Sequence, residues 1–454
     1  MSGLQSPVNA LNKRKASYIS DSSRSRKLHE RATRVMPGGN TRHSIALSPY
    51  PVYVSSGNGC LVTDVEGEER IDFINNFTSL ILGHANPDVL ASVNRQLEKG
   101  AAFSLPSEVS IELAELLVNR VAYIDQIRFC NSGSEAVMLA IKAARSFTGR
   151  PEIAKFEGAY HGIYDYAQVS EGPSSADWGE AEAPRSVAES GSSPKVADDV
   201  VVLPWNNFKA CGQLINSHKN RLAAVLVDVL PAGLGMIAPH PEFLRFLREQ
   251  TERFGILLIS DEVMSFRLSY HGAMQKHGIR PDLTALGKII GGGFPVGAVA
   301  GSAQVMSVFD HTRGMKVHHG GTFNANPVTT AAGLETMKQM TVDAFDRLNK
   351  MGDYIRDRLA RMFQDRRIPA TICGDGSLFV AHLSDAALLD YRSLKGFSRT
   401  NPIYVELCHE MLAQGVVSTP RGLFGCLSTP MSKAELDAFV TAVDRSLNVL
   451  NYRP

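Results

Sequence analysis

The segment Pro281-Asp-Leu-Thr-Ala-Leu-Gly-Lys288-Ile-Ile-Gly-Gly-Gly-Phe-Pro-Val-Gly297 is the most informative part of this sequence. Its apolar residues Leu283 to Leu286 predict a short buried strand that leads Lys288 into a glycine-rich turn. Because glycine removes side-chain bulk, a large flat ligand can approach the backbone there. A lysine among apolar residues has its charged form disfavoured, which leaves the amine free to attack carbonyl carbon. The alternative on these residues alone is a surface lysine beside a flexible loop.

A second apolar strand, Gly255-Ile-Leu-Leu-Ile-Ser-Asp261-Glu262-Val263, runs directly into two acids. In a parallel sheet such a strand is buried on both faces, and ligands collect at its carboxyl end. An unpaired carboxylate there is costly, so we expect Asp261 to have a cationic partner. One helix and one strand separate Asp261 from Lys288, which predicts both at one sheet edge. An acid that keeps a pyridine nitrogen protonated, beside a Schiff-base lysine, is the pair that pyridoxal phosphate chemistry needs.

These motifs resemble the signature of class III (omega) aminotransferases of PLP fold type I, which runs from the Asp-Glu-Val strand end to the lysine. The resemblance covers about Arg34 to Asn451 and is greatest to beta-amino-acid (beta-phenylalanine-type) aminotransferases and glutamate-1-semialdehyde aminomutases. It implies an α/β fold, with a large, mostly parallel seven-stranded sheet domain and a smaller α+β domain from both termini. The implied boundaries are 1–35 for an N-terminal arm and helix, 36–85 for the first part of the small domain, 86–335 for the pyridoxal-phosphate-binding domain and 336–454 for the C-terminal small domain.

The composition fits a soluble globular protein of more than one domain. The chain has 454 residues, of which 44% are hydrophobic and 20% charged. A formal net charge of +1 gives no argument for binding nucleic acid or an anionic membrane. The six cysteines are scattered, without a Cys-x-x-Cys pair, which predicts reduced thiols in the cytoplasm and no metal site.

The N-terminus is basic and serine-rich but has no apolar core, so we expect no secretory signal. No apolar run is long enough to span a bilayer. A mitochondrial presequence is the alternative, against which the acids Asp21 and Glu30 argue. The pattern predicts a solvated arm that leads into a first helix over residues 25–34.

Ser132-Gly133-Ser134 follows the predicted strand that begins at Ile127 and opens a helix. Free amides at a helix start attract anions, and the Ser134 hydroxyl adds a donor. The alternative is a plain serine N-cap. The family resemblance implies a cup for the cofactor phosphate, with Gly133 and Ser134 at the matching positions.

Four further side chains are candidates through the same resemblance. Tyr160, after the next strand, matches the residue that covers one face of the cofactor ring, and Val263 would pack the opposite face. Thr322 matches a residue that donates to the phosphate from the partner subunit, which implies a homodimer with shared active sites. For His161, assistance to Tyr160 and a structural role are the two alternatives. The pair His318-His319 is not expected to bind metal, since adjacent histidines rarely chelate together.

Two arginines are candidate substrate-binding residues. Arg42 is the only charge in the irregular loop Met36-Pro-Gly-Gly-Asn-Thr-Arg42, and a guanidinium offers a planar fork to a carboxylate. Arg421 lies in a turn between apolar strands of the C-terminal part. In beta-amino-acid aminotransferases, matching arginines hold the substrate carboxylate and the alpha-keto acid or alpha-carboxylate. A solvated loop arginine is the alternative for Arg42.

The sequence leaves the roles of Asp228 and of residues 171–199 open. Asp228 ends a buried strand where the family commonly has Glu-Pro, so the contact to the cofactor hydroxyl and the role of Asp228 stay open. Residues 171–199 form a polar insert with few apolar anchors, which predicts a mobile surface loop.

The expected function is transfer of an amino group from a carboxylated amine, with a beta-amino acid favoured, to an alpha-keto acid by ping-pong transamination. In this reaction Lys288 moves the proton and Asp261 holds the ring nitrogen charged. One alternative is a glutamate-1-semialdehyde aminomutase, an isomerase. Others are a nucleotide-binding oxidoreductase, which lacks its Gly-x-Gly-x-x-Gly strand-turn-helix here, and a non-catalytic protein of the same fold.

Overall fold

The computed structural model describes residues 22–384, 386–395 and 402–452. The basic residues of the predicted N-terminal arm before residue 22 lie outside this part. The strands are β1 (Val54–Asn58), β2 (Leu61–Asp64), β3 (Glu69–Asp72), β4 (Gln126–Cys130), β5 (Glu152–Phe156), β6 (Val200–Leu203), β7 (Leu222–Val227), β8 (Leu257–Asp261), β9 (Leu283–Gly287), β10 (Gly297–Gly301), β11 (Thr371–Cys373), β12 (Leu378–His382), β13 (Val416–Val417) and β14 (Leu423–Cys426).

Helices alternate with the strands of the central part of the chain and also occur near both of its ends. They are α1 (Ser23–Ala32), α2 (Pro87–Lys99), α3 (Glu108–Arg120), α4 (Gly133–Thr148), α5 (Asp165–Gln168), α6 (Phe208–His218), α7 (Phe243–Phe254), α8 (Ala273–Lys276), α9 (Ala303–Met306), α10 (Pro327–Gln339), α11 (Val342–Asp365), α12 (Tyr391–Lys395), α13 (Ile403–Ala413) and α14 (Lys433–Val449). None of the helices in the described residues combines the length and apolarity that a bilayer span requires.

A seven-stranded sheet in the order β4-β10-β9-β8-β7-β5-β6 forms the centre of the molecule. Its strands are parallel except β10, which pairs antiparallel with both β9 and β4. Strands β5 to β9 are buried along their whole length because helices cover both faces. The predicted fold class, a large and mostly parallel seven-stranded sheet, is confirmed.

Two smaller sheets are built from the ends of the chain. Strands β1, β2 and β3 form an antiparallel ribbon, and β13 from the C-terminal part adds to its edge parallel to β3. The third sheet has the order β11-β12-β14. Glu66 and Gly67 lie in the connection between β2 and β3, and Gly67 has the positive φ of 100° that its turn requires.

The polar insert 171–199, predicted to be a mobile surface loop, lies largely at the surface and is attached to the body of the protein by side chains of α12. Trp178 is partly buried and packs edge-on against Tyr391, with ring centroids 6.4 Å apart. Arg392 of α12 donates 2.8 Å hydrogen bonds both to the Trp178 carbonyl and to Glu157 Oε2. These anchors come from a helix more than 190 positions later, which local sequence does not reveal.

Candidate active site

The site lies where the parallel strands of the large sheet end. Asn131 follows β4, Asp228 follows β7, Asp261 is the last residue of β8 and Lys288 follows β9. Since parallel strands end at one edge of a sheet, their next residues converge there. Side chains from these turns line one cavity of about 390 Å³, and Lys288, Asp261 and Asp228 are all among them.

Lys288 begins a single 3₁₀ turn, Lys288–Gly291, and has a φ of 50°, a left-handed conformation that costs a non-glycine residue about 1–3 kcal/mol. This turn brings its partly buried side chain to the cavity wall. Burial lowers the pKa of Lys288, and the neighbouring carboxylates of Asp261 and Asp228 oppose that shift. The predicted delivery of a lysine from a buried strand into a glycine-rich turn is confirmed.

Asp261 is buried and each of its carboxylate oxygens accepts one hydrogen bond. The His161 Nδ1–H donates to Oδ2 over 2.7 Å, and the Val263 N–H donates to Oδ1 over 3.1 Å. Burial lowers the pKa of His161, so its ring is neutral near pH 7. Within the chain, Asp261 is thus hydrogen-bonded to a neutral histidine, and Lys288 is close enough to interact with its charge. A carboxylate has about four acceptor positions, so Asp261 keeps capacity for a further donor from the cavity.

Ser132, Gly133 and Ser134 form the start of α4. Ser132 is its N-cap, with Oγ accepting the Glu135 N–H over 3.2 Å. The N–H groups of Gly133 and Ser134 are then among the first amides of a helix, which have no acceptor within it and attract anions. The Ser134 Oγ accepts the Ile163 N–H over 3.1 Å and so joins this turn to the loop that carries Tyr160.

Glycine at positions 133 and 162 allows this turn to pack closely against its neighbours. A Cβ on Gly133 would lie 2.7 Å from Val263 Cγ1, and one on Gly162 would lie 2.3 Å from the Ser134 Oγ. Val263 and Tyr160 both line the cavity, and Tyr160 is 52% exposed. An aromatic face and an aliphatic side chain on one cavity suit a flat ring.

Arg42 lines the same cavity as Lys288, whereas Arg421 and Thr322 do not. Its Nη1 donates to the Asn76 Oδ1 over 2.7 Å, and its guanidinium carbon lies 5.8 Å from the centre of the Phe77 ring. Arg421 and Thr322 are exposed and are not among the described residues that line this cavity. Their roles remain predictions.

The sequence did not reveal the roles of Asp228, which lines the cavity, and of Arg267, which does not. Burial and the nearby Asp261 carboxylate raise the pKa of Asp228 to about 7. Asp228 directly follows β7, much as Asp261 ends β8, and this is the signal that could have identified it. Arg267 lies in the 3₁₀ turn Ser265–Leu268 and is fully buried. No local pattern distinguishes it from a surface arginine.

Comparison with known proteins identifies the family. The sequence model of the family described as "Aminotransferase class-III" matches residues 45–446, which is nearly the whole chain. The chain belongs to the class III aminotransferases. The cofactor is pyridoxal phosphate, and the protein is a pyridoxal-phosphate-dependent enzyme.

Its relatives include both transaminases and an aminomutase. An omega-transaminase from Sphaerobacter thermophilus is 49% identical with a TM-score of 0.92, and the match covers 96% of this chain and 99% of that one. A beta-phenylalanine aminotransferase from Variovorax paradoxus is 33% identical with a TM-score of 0.88, covering 98% of each chain. A glutamate-1-semialdehyde 2,1-aminomutase from Methanothermobacter thermautotrophicus strain Delta H is 35% identical, covering 94% of this chain and 99% of that protein.

The residues at the cavity fit this cofactor. An amine for its aldehyde, a carboxylate for its ring nitrogen and helix amides for its phosphate line one space of about 390 Å³. The glycines at 133 and 162 allow Val263 and Ser134 to pack closely beside this space, since a Cβ at either position would collide with them.

The lowered pKa of Lys288 predicts how cofactor loading depends on pH. Only the uncharged amine attacks the aldehyde, and burial shifts deprotonation of Lys288 below the ordinary lysine value of about 10.4. Apoenzyme mixed with pyridoxal phosphate and quenched with borohydride should label faster as pH rises, and the rate should level off below that value. Nα-acetyl-lysine amide, whose free side-chain amine has an ordinary pKa, is the control. A labelling rate that keeps rising as steeply as the control's would contradict the assignment.

Proposed function

We propose that this protein is an aminotransferase that moves an amino group from a carboxylated amine, with a beta-amino acid favoured, to an alpha-keto acid. The observation that carries the proposal is that Arg42 lines the same cavity as Lys288 and is held there by Asn76. A fixed guanidinium fork binds a carboxylate with two parallel hydrogen bonds, and a simple amine gains nothing from it. The similarity to a beta-phenylalanine aminotransferase supports the same donor class.

The cavity residues divide between holding the cofactor and moving a proton. The Gly133 and Ser134 amides would bind the phosphate, Tyr160 and Val263 would enclose the ring, and Asp261 would hold a proton on the ring nitrogen. When bound, pyridoxal phosphate supplies an electron sink for the carbanion left when a C–H bond of the amine ionises.

Lys288 is the residue that takes the proton in this proposal. Its Nζ is uncharged over a wider pH range than an ordinary lysine, so it can accept the proton from the donor carbon and return it. Asp261 accepts a hydrogen bond from His161, which fixes the direction of its carboxylate. His161 thus acts through Asp261 as a positioning residue.

A homodimer completes this proposal. Thr322 is exposed and outside the cavity of its own chain, which suits a residue that serves the partner's phosphate site. The large apolar side chains of Phe323 and Leu105 are 60% and 79% exposed, and surfaces of this kind favour association.

The aminomutase is the second candidate, because curated relatives at 33–35% identity carry that name. An aminomutase moves an amino group within one molecule and needs no external acceptor. The two functions therefore differ in their requirement for a keto acid.

Acceptor dependence separates these two functions. The purified holoenzyme is given 3-amino-3-phenylpropanoate with pyruvate, with 2-oxoglutarate or without a keto acid, and the amino acid formed from the acceptor is measured. We expect turnover only with a keto acid, in a ping-pong pattern. Continuous conversion of glutamate 1-semialdehyde without an acceptor, and none of the beta-amino acid with one, would contradict the proposal.

The substitution Arg42→Ala tests the carboxylate fork. Hydrogen bonds to charged groups contribute about 1.5–3 kcal/mol, so kcat/KM for 3-amino-3-phenylpropanoate should fall about 10- to 100-fold. Activity toward 1-phenylethylamine, which lacks the carboxylate, should change little. Arg34→Ala removes an exposed arginine of the neighbouring segment, outside the cavity, and is the matched control. Equal losses on both donors would exclude Arg42 as a carboxylate ligand.

A further inference from the structure

Arg267 is a buried cation that has no carboxylate partner in the described part of the chain. Its side chain is 0% exposed, and it makes no ion pair among the described residues. Its Nε donates to the Ser377 Oγ over 2.9 Å, its Nη1 to the Thr78 carbonyl over 2.9 Å and its Nη2 to the Leu427 carbonyl. Burying a guanidinium against neutral oxygens costs desolvation free energy. Its hydrogen bonds must therefore hold something in place that an apolar side chain could not hold.

The three acceptors of Arg267 belong to three separate parts of the chain. Ser377 precedes β12, Leu427 follows β14, and Thr78 ends the turn Asn75–Thr78. Arg267 itself follows β8 of the large sheet, in the turn that begins four residues after Asp261. One side chain therefore joins the active-site edge of the large sheet to both small-domain segments.

The turn Asn75–Thr78 has a backbone that needs such support. Its four residues have φ values of 46°, 48°, 53° and 76°, and none of them is glycine. Consecutive left-handed residues with a Cβ are strained, so they persist only when surrounding contacts hold them. Two other contacts help. The Asp72 Oδ1 accepts the Asn75 N–H over 3.0 Å, and the Asn75 Nδ2 donates to the Cys426 carbonyl over 2.9 Å.

The same turn presents the partners of Arg42. Asn76 accepts the Arg42 Nη1–H, and the Phe77 ring lies beside the guanidinium. Both Arg42 and Asn76 line the cavity with Lys288. A change in the turn would therefore move the residues that orient Arg42 without touching Lys288 or Asp261.

We propose that Arg267 is a positioning residue for donor recognition, because it holds the left-handed turn Asn75–Thr78 so that Asn76 orients the Arg42 guanidinium. The recognised group is a donor carboxylate, and in this respect the inference rests on the proposed function. Arg267 itself does not line the cavity. Its effect passes from the Thr78 carbonyl through the turn to Asn76.

The variants Arg267→Lys and Arg267→Met test this inference. Lysine keeps the charge but cannot reach three separated acceptors, and methionine removes the charge and all three bonds. In the lysine variant KM for 3-amino-3-phenylpropanoate should rise about tenfold, with kcat and the visible absorbance of the bound cofactor nearly unchanged. KM for 1-phenylethylamine should stay the same. In the Arg42→Ala background the Arg267→Lys effect should disappear.

Arg120→Lys is the matched control for replacing a buried arginine. Arg120 is 5% exposed and donates to the Met337 carbonyl over 2.6 Å, but it does not line the cavity. We expect it to leave the KM of both donors unchanged. The positioning role is wrong, and Arg267 only supports the fold, if Arg267→Lys raises KM for both donors equally. The same holds if its effect on KM persists in the Arg42→Ala background.

Crystal structures of the wild-type protein and of the two Arg267 variants decide the inference independently of the donor. We expect the variants to lose the positive φ values of the turn and the Asn76–Arg42 hydrogen bond. An unchanged turn in both variants would overturn the proposal. Wild-type enzyme that does not prefer the carboxylated donor would instead refute the proposed donor class, while these structures still test what Arg267 holds.

Discussion

The parallel pairing of β8 with β9 sets Asp261 opposite Ala285, and Lys288 follows at the end of the same strand. Since successive side chains on a strand point to opposite faces, a slip of one residue in this register would turn one of the two groups away from the cavity. The register is fixed by strands that are buried on both faces and cannot slide without exposing apolar side chains. The chemistry of the site therefore depends on packing in the core of the large sheet.

Lys155 and Lys288 both lie near this sheet edge, and their surroundings differ. Lys155 on β5 is fully buried, and its Nζ donates to the carbonyls of Ala159 and Val169 over 2.9 and 2.7 Å. Burial lowers the pKa of Lys155 to about 7, yet the side chain is enclosed and donates two hydrogen bonds to the backbone. Lys288 has a lowered pKa and also lines the cavity, so it alone of the two can meet a substrate. Lys155 instead holds the loop that carries Tyr160 and His161.

Much of this arrangement follows from the sequence, because strands that run into acids, a serine-glycine turn and a lysine before glycines are local signals. The helix starting at Gly133 and the strand ending at Asp261 lie where their residues predict. The left-handed turn Asn75–Thr78 could not be predicted, since it contains no glycine and is held by contacts from distant segments. The neutral His161 beside Asp261 and the Arg392 anchor of the polar insert depend in the same way on tertiary contacts.

The most direct test of the account is to find which amine binds the cofactor covalently. Purified holoenzyme is reduced with borohydride, digested, and mapped by mass spectrometry for a peptide that carries the reduced pyridoxal phosphate group. The account predicts a single modified residue, Lys288, and no label in the Lys288→Ala variant. Stoichiometric label on Lys155 or on any other lysine, with Lys288 unmodified, would contradict it.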